Sequence, residues 1–115
     1  MLLMLIRTTI PIALLAFSTN IYAGYLDGNM LYERCTTKEE DQVYYLNASD
    51  CQGYITGVAD AFDGYSFCIP NQVRRRQNVD IVTKYLRDHP EDRHQDAHIL
   101  TAHALSLAFP CPTKK

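Results

Sequence analysis

The sequence has no tryptophan, no C-x-x-C pair, no H-E-x-x-H segment and no excess of basic over acidic residues. The lack of C-x-x-C argues against a thiol-redox centre, and also against a zinc site with closely spaced cysteine ligands. The lack of a basic excess removes the usual electrostatic mark of nucleic-acid binding. No glycine-rich phosphate loop is visible either. We therefore expect a binding protein rather than an enzyme, with no cofactor, no metal and no nucleic-acid partner.

The first 23 residues predict a secretory signal peptide. An early positive charge, Arg7, precedes an apolar stretch, and small residues end at Ala23, a plausible cleavage position. Arg7 and Pro11 interrupt the apolar run, which makes it a poor membrane span. The alternative is a retained membrane anchor. We expect a single exported domain over residues 24–115, with no membrane attachment after cleavage.

Four cysteines in so short an exported chain predict two disulfides. They are Cys35, Cys51, Cys68 and Cys111. Three pairings are possible, and we favour Cys35–Cys51 and Cys68–Cys111 because each would join helix ends that short connections already bring close. In the chain-entropy model the first bond contributes about 3 kcal/mol and the second about 4. A chain of this size needs such bonds, since it buries only about 60–65% of its unfolded surface.

The spacing of apolar residues predicts an all-α fold of four to five helices and no strand. Thr37 with Glu40 forms a capping-box pattern that starts a helix over 36–47. Val79, Val82 and Leu86 form the predicted buried stripe of a later helix. The predicted segments are 28–35, 36–47, about 50–62 after a Ser49 cap, 72–88 after an Asn71 cap, a short segment from Pro90, and 96–109.

Small residues recur every four positions in the central helix, at Gly53, Gly57 and Ala61. Glycine costs a helix about 1 kcal/mol relative to alanine, so this shallow groove needs a packing reason. We favour an ordinary crossing by another helix of the same chain, with a subunit contact as the alternative. The last helix is apolar on nearly all sides, which indicates burial. A second subunit would help to bury it, so Leu105 joins the groove residues in a predicted dimer interface.

Two connections are candidate partner-binding surfaces. The first choice is the stretch 63–67, where Tyr65, Ser66 and Phe67 precede a predicted disulfide; Phe67 could instead fold back into the core. The second choice is the polar turn 88–95, which carries Asp88, Glu91, Asp92 and Arg93. A weaker possibility is metal binding by His94 and His98, which are spaced to share a helix face, although a solvated role is favoured for this pair.

Four segments together resemble the Rap/Tai family of bacterial immunity proteins. They are CQGYITGVADAF (51–62), FCIP (67–70), VDIVTKYLRDHPEDRH (79–94) and ALSLAFPCP (104–112). The resemblance implies a periplasmic, all-helical homodimer that protects a Gram-negative cell from peptidoglycan amidases delivered by type VI secretion. It implies that a protruding loop, helped by the second subunit, blocks the cleft of a cysteine-type amidase. The alternative is an envelope or stress protein of the same fold without a toxin partner.

Overall fold

A computed structural model describes residues 26–113, so the predicted signal peptide lies outside the described residues. The helices are α1 (Gly28–Cys35), α2 (Tyr44–Phe62), α3 (Arg75–Asp88) and α4 (Ala97–Ala108), with a 3-10 turn at Pro90–Asp92. Within this range the only β-type pairings are two isolated bridges, Asp27 with Asp96 and Asp63 with Phe67. The predicted all-α fold is confirmed.

Helix α1 is held by its own cap and by the turn that precedes α4. The Asp27 carboxylate accepts a hydrogen bond from the Met30 amide at 2.8 Å, as expected of a good N-cap residue. The Gly28 amide donates to the Gln95 carbonyl at 2.9 Å, and the Ala97 amide donates to the Leu26 carbonyl at 2.7 Å. The starts of α1 and α4 are therefore joined through their backbones.

The predicted helix over 36–47 is wrong. Residues 36–43 form turns, and α2 begins at Tyr44 and runs through Ser49, which therefore caps nothing. The Thr37 hydroxyl donates to the Glu33 carbonyl at 2.8 Å and accepts a hydrogen bond from the side-chain carboxamide of Asn47 at 2.9 Å. Thr37 thus ties the connection to both flanking helices instead of forming a capping box with Glu40.

Helix α3 begins at Arg75, three residues later than the sequence predicts. A turn at Pro70 precedes it, where the Val73 amide donates to the Pro70 carbonyl at 3.0 Å. The Gln77 side chain accepts a hydrogen bond from the Arg74 amide at 2.7 Å, so this contact marks the helix start and Asn71 does not cap it. The helical segment at Pro90 and the last helix lie within one residue of their predicted positions.

All four α-helices contribute side chains to one core. The predicted stripe of Val79, Val82 and Leu86 is confirmed, since each is at most 8% exposed. Burial of such a side chain stabilises the fold by about 1.5–3 kcal/mol. The largest fully buried side chains come from α1, α2, α3, α4 and the turn after α2: Phe67, Leu31, Ile55, Leu86, Leu105, Val82 and Thr101.

Both predicted disulfides are confirmed. Cys35–Cys51 joins the end of α1 to the middle of α2 across 16 residues. Cys68–Cys111 joins the turn after α2 to the segment after α4 across 43 residues. The Cys68 amide also donates to the Phe109 carbonyl at 2.9 Å, so the second bond fixes a connection that is already hydrogen-bonded.

Helix α4 is not apolar and buried on all sides, as the sequence suggested. Leu105 has no exposed surface and packs within its own chain, so it offers nothing to a second subunit. Ile99 and Leu107 are 49% and 63% exposed on the same helix. One face of α4 is buried in the core, and the opposite face is exposed to solvent. In the described part of the chain, no helix combines the length and apolar character that crossing a bilayer requires.

Gly28 lies where α1 meets the backbone of the turn before α4, and a methyl group does not fit there. A Cβ at this position would lie 2.8 Å from the Arg93 carbonyl oxygen and would overlap the Leu100 Cδ1 atom. We predict that Gly28→Ala lowers the free energy of unfolding by about 1–3 kcal/mol, the usual effect of overpacking. Urea unfolding measures this. Asn29→Ala is the control, because Asn29 is exposed; equal effects of the two substitutions would contradict the prediction.

Candidate functional site

A tight turn follows α2 and places one aromatic side chain in solvent. Gly64 has φ +86°, a conformation that glycine adopts without the penalty of a side chain. Its amide donates to the Phe67 carbonyl at 2.7 Å, while the amides of Tyr65 and Ser66 both donate to the Phe62 carbonyl at 3.0 Å. The hydrogen bonds leave little freedom to the segment 63–67, which we call the Tyr65 turn.

The Tyr65 turn has an outer and an inner aromatic residue. Tyr65 is 86% exposed and Ser66 is also exposed, whereas Phe67 has no exposed surface. The prediction that Phe67 contacts a partner is therefore corrected: it fills the core beneath the turn, which was the alternative. The surface that the turn offers consists of Tyr65 and Ser66.

Further contacts fix the base of the Tyr65 turn. The Asp63 carboxylate accepts a hydrogen bond from the Ile69 amide at 2.9 Å. On the far side, Cys68 is bonded to Cys111. Because both ends are fixed, little conformational entropy is left to lose when the turn binds a partner.

The polar turn 88–95, the second-choice surface, has a more structural character. The Arg93 guanidinium lies 4.3 Å from the centre of the Tyr32 ring, a cation–π geometry. The Arg93 carbonyl also accepts a hydrogen bond from the Asn29 amide at 2.9 Å. Arg93 is thus engaged with α1, and the exposed charges of this turn are those of Asp88 and Glu91, with Asp92 half-buried.

His89 organises the same turn. Its Nδ1 lies 3.2 Å from the Glu91 carboxylate, and its ring stacks on Tyr85 with centroids 4.3 Å apart. A hydrogen bond from the Glu91 backbone lowers the pKa of the Glu91 carboxyl below its usual value, and the hydrogen bond with His89 lowers it further. His89, Glu91 and Asp92 each offer a ligand atom within 4.8 Å of the others. His94 precedes α4, so it does not share a helix face with His98 as the sequence suggested.

The small residues of α2 form an open apolar groove. Gly53, Gly57 and Ala61 are exposed, and a Cβ built on either glycine would meet nothing within 4 Å in the described residues. The favoured expectation of a crossing by a helix of the same chain is therefore wrong. The groove has a volume of about 460 Å³ and is also lined by Tyr54, Val58, Phe62 and His98.

A polar recess between α2 and α3 was missed by the sequence analysis. Asp60 and Asp63 line it together with Arg75 and the buried Asn78. Asn78 comes directly before Val79 of the predicted buried stripe. A polar residue at that position is expected at the surface of a helix, whereas Asn78 is buried. The sequence indicates the turn at Pro70, but it does not show which faces of α2 and α3 meet, and that packing brings these residues together.

The described residues form a disulfide-bonded helical domain that exposes an aromatic turn and an apolar groove. The chain belongs to the family of Rap1a immunity proteins, whose family model matches residues 27–111. No curated protein sequence matches the chain. Family membership confirms the Rap/Tai resemblance, supports an immunity role and implies a toxin effector as the binding partner. The disulfides are consistent with an oxidising compartment.

The positive φ of Gly64 makes the Tyr65 turn sensitive to a single methyl group. We predict that Gly64→Ala lowers the free energy of unfolding by about 1 kcal/mol, because a side chain strains the left-handed conformation. Chemical denaturation of the oxidised protein measures the loss. Ser66→Ala is the control, since Ser66 is exposed and no non-glycine residue of the described range has a positive φ. An unchanged Gly64→Ala protein would show that the turn relaxes freely.

Proposed function

We propose that this protein is a periplasmic immunity protein that inhibits a peptidoglycan amidase delivered by type VI secretion. In this proposal, the Tyr65 turn enters the catalytic cleft of the amidase and excludes its substrate. The producing cell and its kin are protected because the inhibitor is located in the periplasm, the compartment where the toxin acts. The protein needs no catalytic group of its own for this role.

The observation that carries the proposal is the exposure of Tyr65 on a fixed turn. The ring is 86% exposed although most of its neighbours in the chain are hydrogen-bonded into place. Tyrosine is enriched at binding hot spots, since it buries a large area and loses few rotamers. Ser66 adds a hydroxyl beside the ring that can hydrogen-bond inside a polar cleft. A narrow, prominent turn of this kind suits a concave partner better than a flat one.

We further propose that the active form is a homodimer built on the glycine groove of α2. No residue of the described chain fills the groove, and its lining is almost entirely apolar. Tyr54 lines the groove, and burial raises its pKa; the nearby Asp96 carboxylate raises it further. The Tyr54 hydroxyl therefore stays neutral. Two copies of such a groove can approach closely around a two-fold axis, the commonest symmetry of soluble homo-oligomers.

Tyr65→Ala tests the inhibitory turn. We expect it to weaken binding of the cognate amidase by about 2 kcal/mol or more, which is roughly thirtyfold in Kd. Helical circular dichroism should stay unchanged, because the ring makes no core contact. The matched control is Tyr45→Ala, which removes another highly exposed tyrosine, at 82%, from the start of α2. Calorimetric titration and survival of cells that receive the toxin both measure the effect.

Two outcomes would revise this proposal. If Tyr65→Ala protects cells fully, while substitutions of Asp88, Glu91 and Asp92 abolish protection, the polar turn 88–95 is the inhibitory surface. If the unaltered protein neither binds nor inhibits the peptidoglycan amidase of its own type VI secretion system, the role as an amidase inhibitor is wrong. An envelope or stress function without a toxin partner would then be the better account.

Gly57→Leu tests the dimer. The protomer should fold normally, since a Cβ at Gly57 has open space and leucine favours a helix over glycine by about 1 kcal/mol. We expect the dimer to dissociate at micromolar concentration in sedimentation experiments. Gln52→Leu is the control, because position 52 lies about 140° around the helix from position 57. A monomeric unaltered protein, or a Gly57→Leu protein that still dimerises, would contradict the proposed interface.

A further inference from the structure

The polar recess between α2 and α3 adjoins the Tyr65 turn. Thr56, Asp60 and Asp63 line it from α2 and its end, and Arg75 and Asn78 line it from α3, around a volume of about 350 Å³. Asp63 belongs to both features, since it lines the recess and begins the turn that carries Tyr65. Tyr65 therefore lies two residues along the chain from the edge of this recess.

Two buried oxygen atoms at the recess lack hydrogen-bond partners. Asn78 is only 9% exposed, and its Oδ1 atom has no partner among the described residues. The buried Oγ1 atom of Thr56 is in the same condition. A buried polar atom without a partner is costly, so a donor that reaches it contributes more than an ordinary surface hydrogen bond.

The charges at the recess favour a cation. The carboxylates of Asp60 and Asp63 outnumber the single guanidinium of Arg75. The C-terminal half of α2 adds the negative end of its helix dipole, while Arg75 and the N-terminus of α3 add positive potential on the opposite wall. A cation is therefore held best on the α2 side, close to Asp60 and away from Arg75. One Asp63 oxygen is already engaged with the Ile69 amide, which leaves Asp60 as the less committed carboxylate.

We propose that the recess binds a lysine ammonium group of the toxin while the Tyr65 turn occupies the toxin's cleft. This inference rests on the proposed inhibitory function. An ammonium carries three N–H donors, and the residues that line the recess carry the exposed Asp60 carboxylate and two unpartnered buried oxygens, Asn78 Oδ1 and Thr56 Oγ1. The aromatic turn supplies contact area, and the recess beside it supplies the polar contact that distinguishes the cognate toxin from another with a similar cleft.

Asp60→Asn tests the charge at the recess. The substitution keeps the shape of the side chain and removes its charge, so we expect Kd for the cognate amidase to rise by at least about tenfold. The control is Glu39→Gln, which removes one exposed carboxylate from the connection before α2, at the other end of that helix. Glu39→Gln should bind within twofold of the unaltered protein. Both variants should keep the unaltered melting temperature, because both side chains lie at the surface.

Acetylation of the toxin's lysines, read by mass spectrometry, identifies the occupant. In the complex with the unaltered protein, we expect one lysine of the toxin to resist acetic anhydride. The same lysine should become reactive in the complex with Asp60→Asn, formed at saturating concentration, and should stay protected with Glu39→Gln. If no lysine is protected, or if the protected lysines do not respond to Asp60→Asn, the proposed occupant is wrong.

The comparison with Tyr65→Ala separates this inference from the function on which it rests. If Tyr65→Ala weakens binding and Asp60→Asn does not, the inhibitory turn stands and the recess holds only water. If the unaltered protein binds no amidase, both proposals fall together. Weakening by both variants, with lysine protection lost only in Asp60→Asn, supports the recess as a separate contact.

Discussion

Burial of Phe67 is the contact on which the exposed end of this molecule depends. Its ring is fully enclosed by the core. It lies one residue before a disulfide and two after Tyr65, the most exposed tyrosine among the described residues. Without that buried ring, the turn after α2 would be held by its backbone hydrogen bonds, the Asp63 carboxylate contact and the disulfide that follows it. Because Phe67 is anchored, the neighbouring Tyr65 points away from the core into water. One side chain thus supports the fold while its neighbour supplies the proposed contact.

Ion pairs contribute little to this arrangement. The Arg34–Asp50 pair is 3.7 Å apart and the Arg76–Asp80 pair 3.3 Å, and all four side chains are at least one-third exposed. Pairs of this kind contribute about 0–1 kcal/mol. The core residues and two disulfides therefore supply most of the stability, which leaves the surface carboxylates available for recognition. Asp60, which is exposed, can be neutralised in experiments without a large effect expected on the fold.

Much of the fold could be predicted from the sequence because its strongest signals are local. The periodicity of Val79, Val82 and Leu86 defined the buried side of α3, and the even number of cysteines indicated the disulfides. The helix predicted at Thr37 failed because its capping pattern competes with hydrogen bonds to Glu33 and Asn47, which depend on how α1 and α2 meet. The burial of Phe67 and Leu105 was equally hidden, since an apolar residue in the sequence does not reveal whether its own chain or a partner covers it.

The helical glycines fall into two groups: Gly28 in α1 is required by packing within the chain, whereas Gly53 and Gly57 in α2 are not. Gly28 is required by its own chain, because the Arg93 backbone and the Leu100 side chain occupy the space of a methyl group. Gly53 and Gly57 have no such neighbour within 4 Å, yet each lowers helix propensity by about 1 kcal/mol relative to alanine. No contact within the described chain therefore requires glycine at these two positions. The close approach of another molecule would require small residues there. The groove is therefore a better candidate for a subunit contact than the exposed residues of α4.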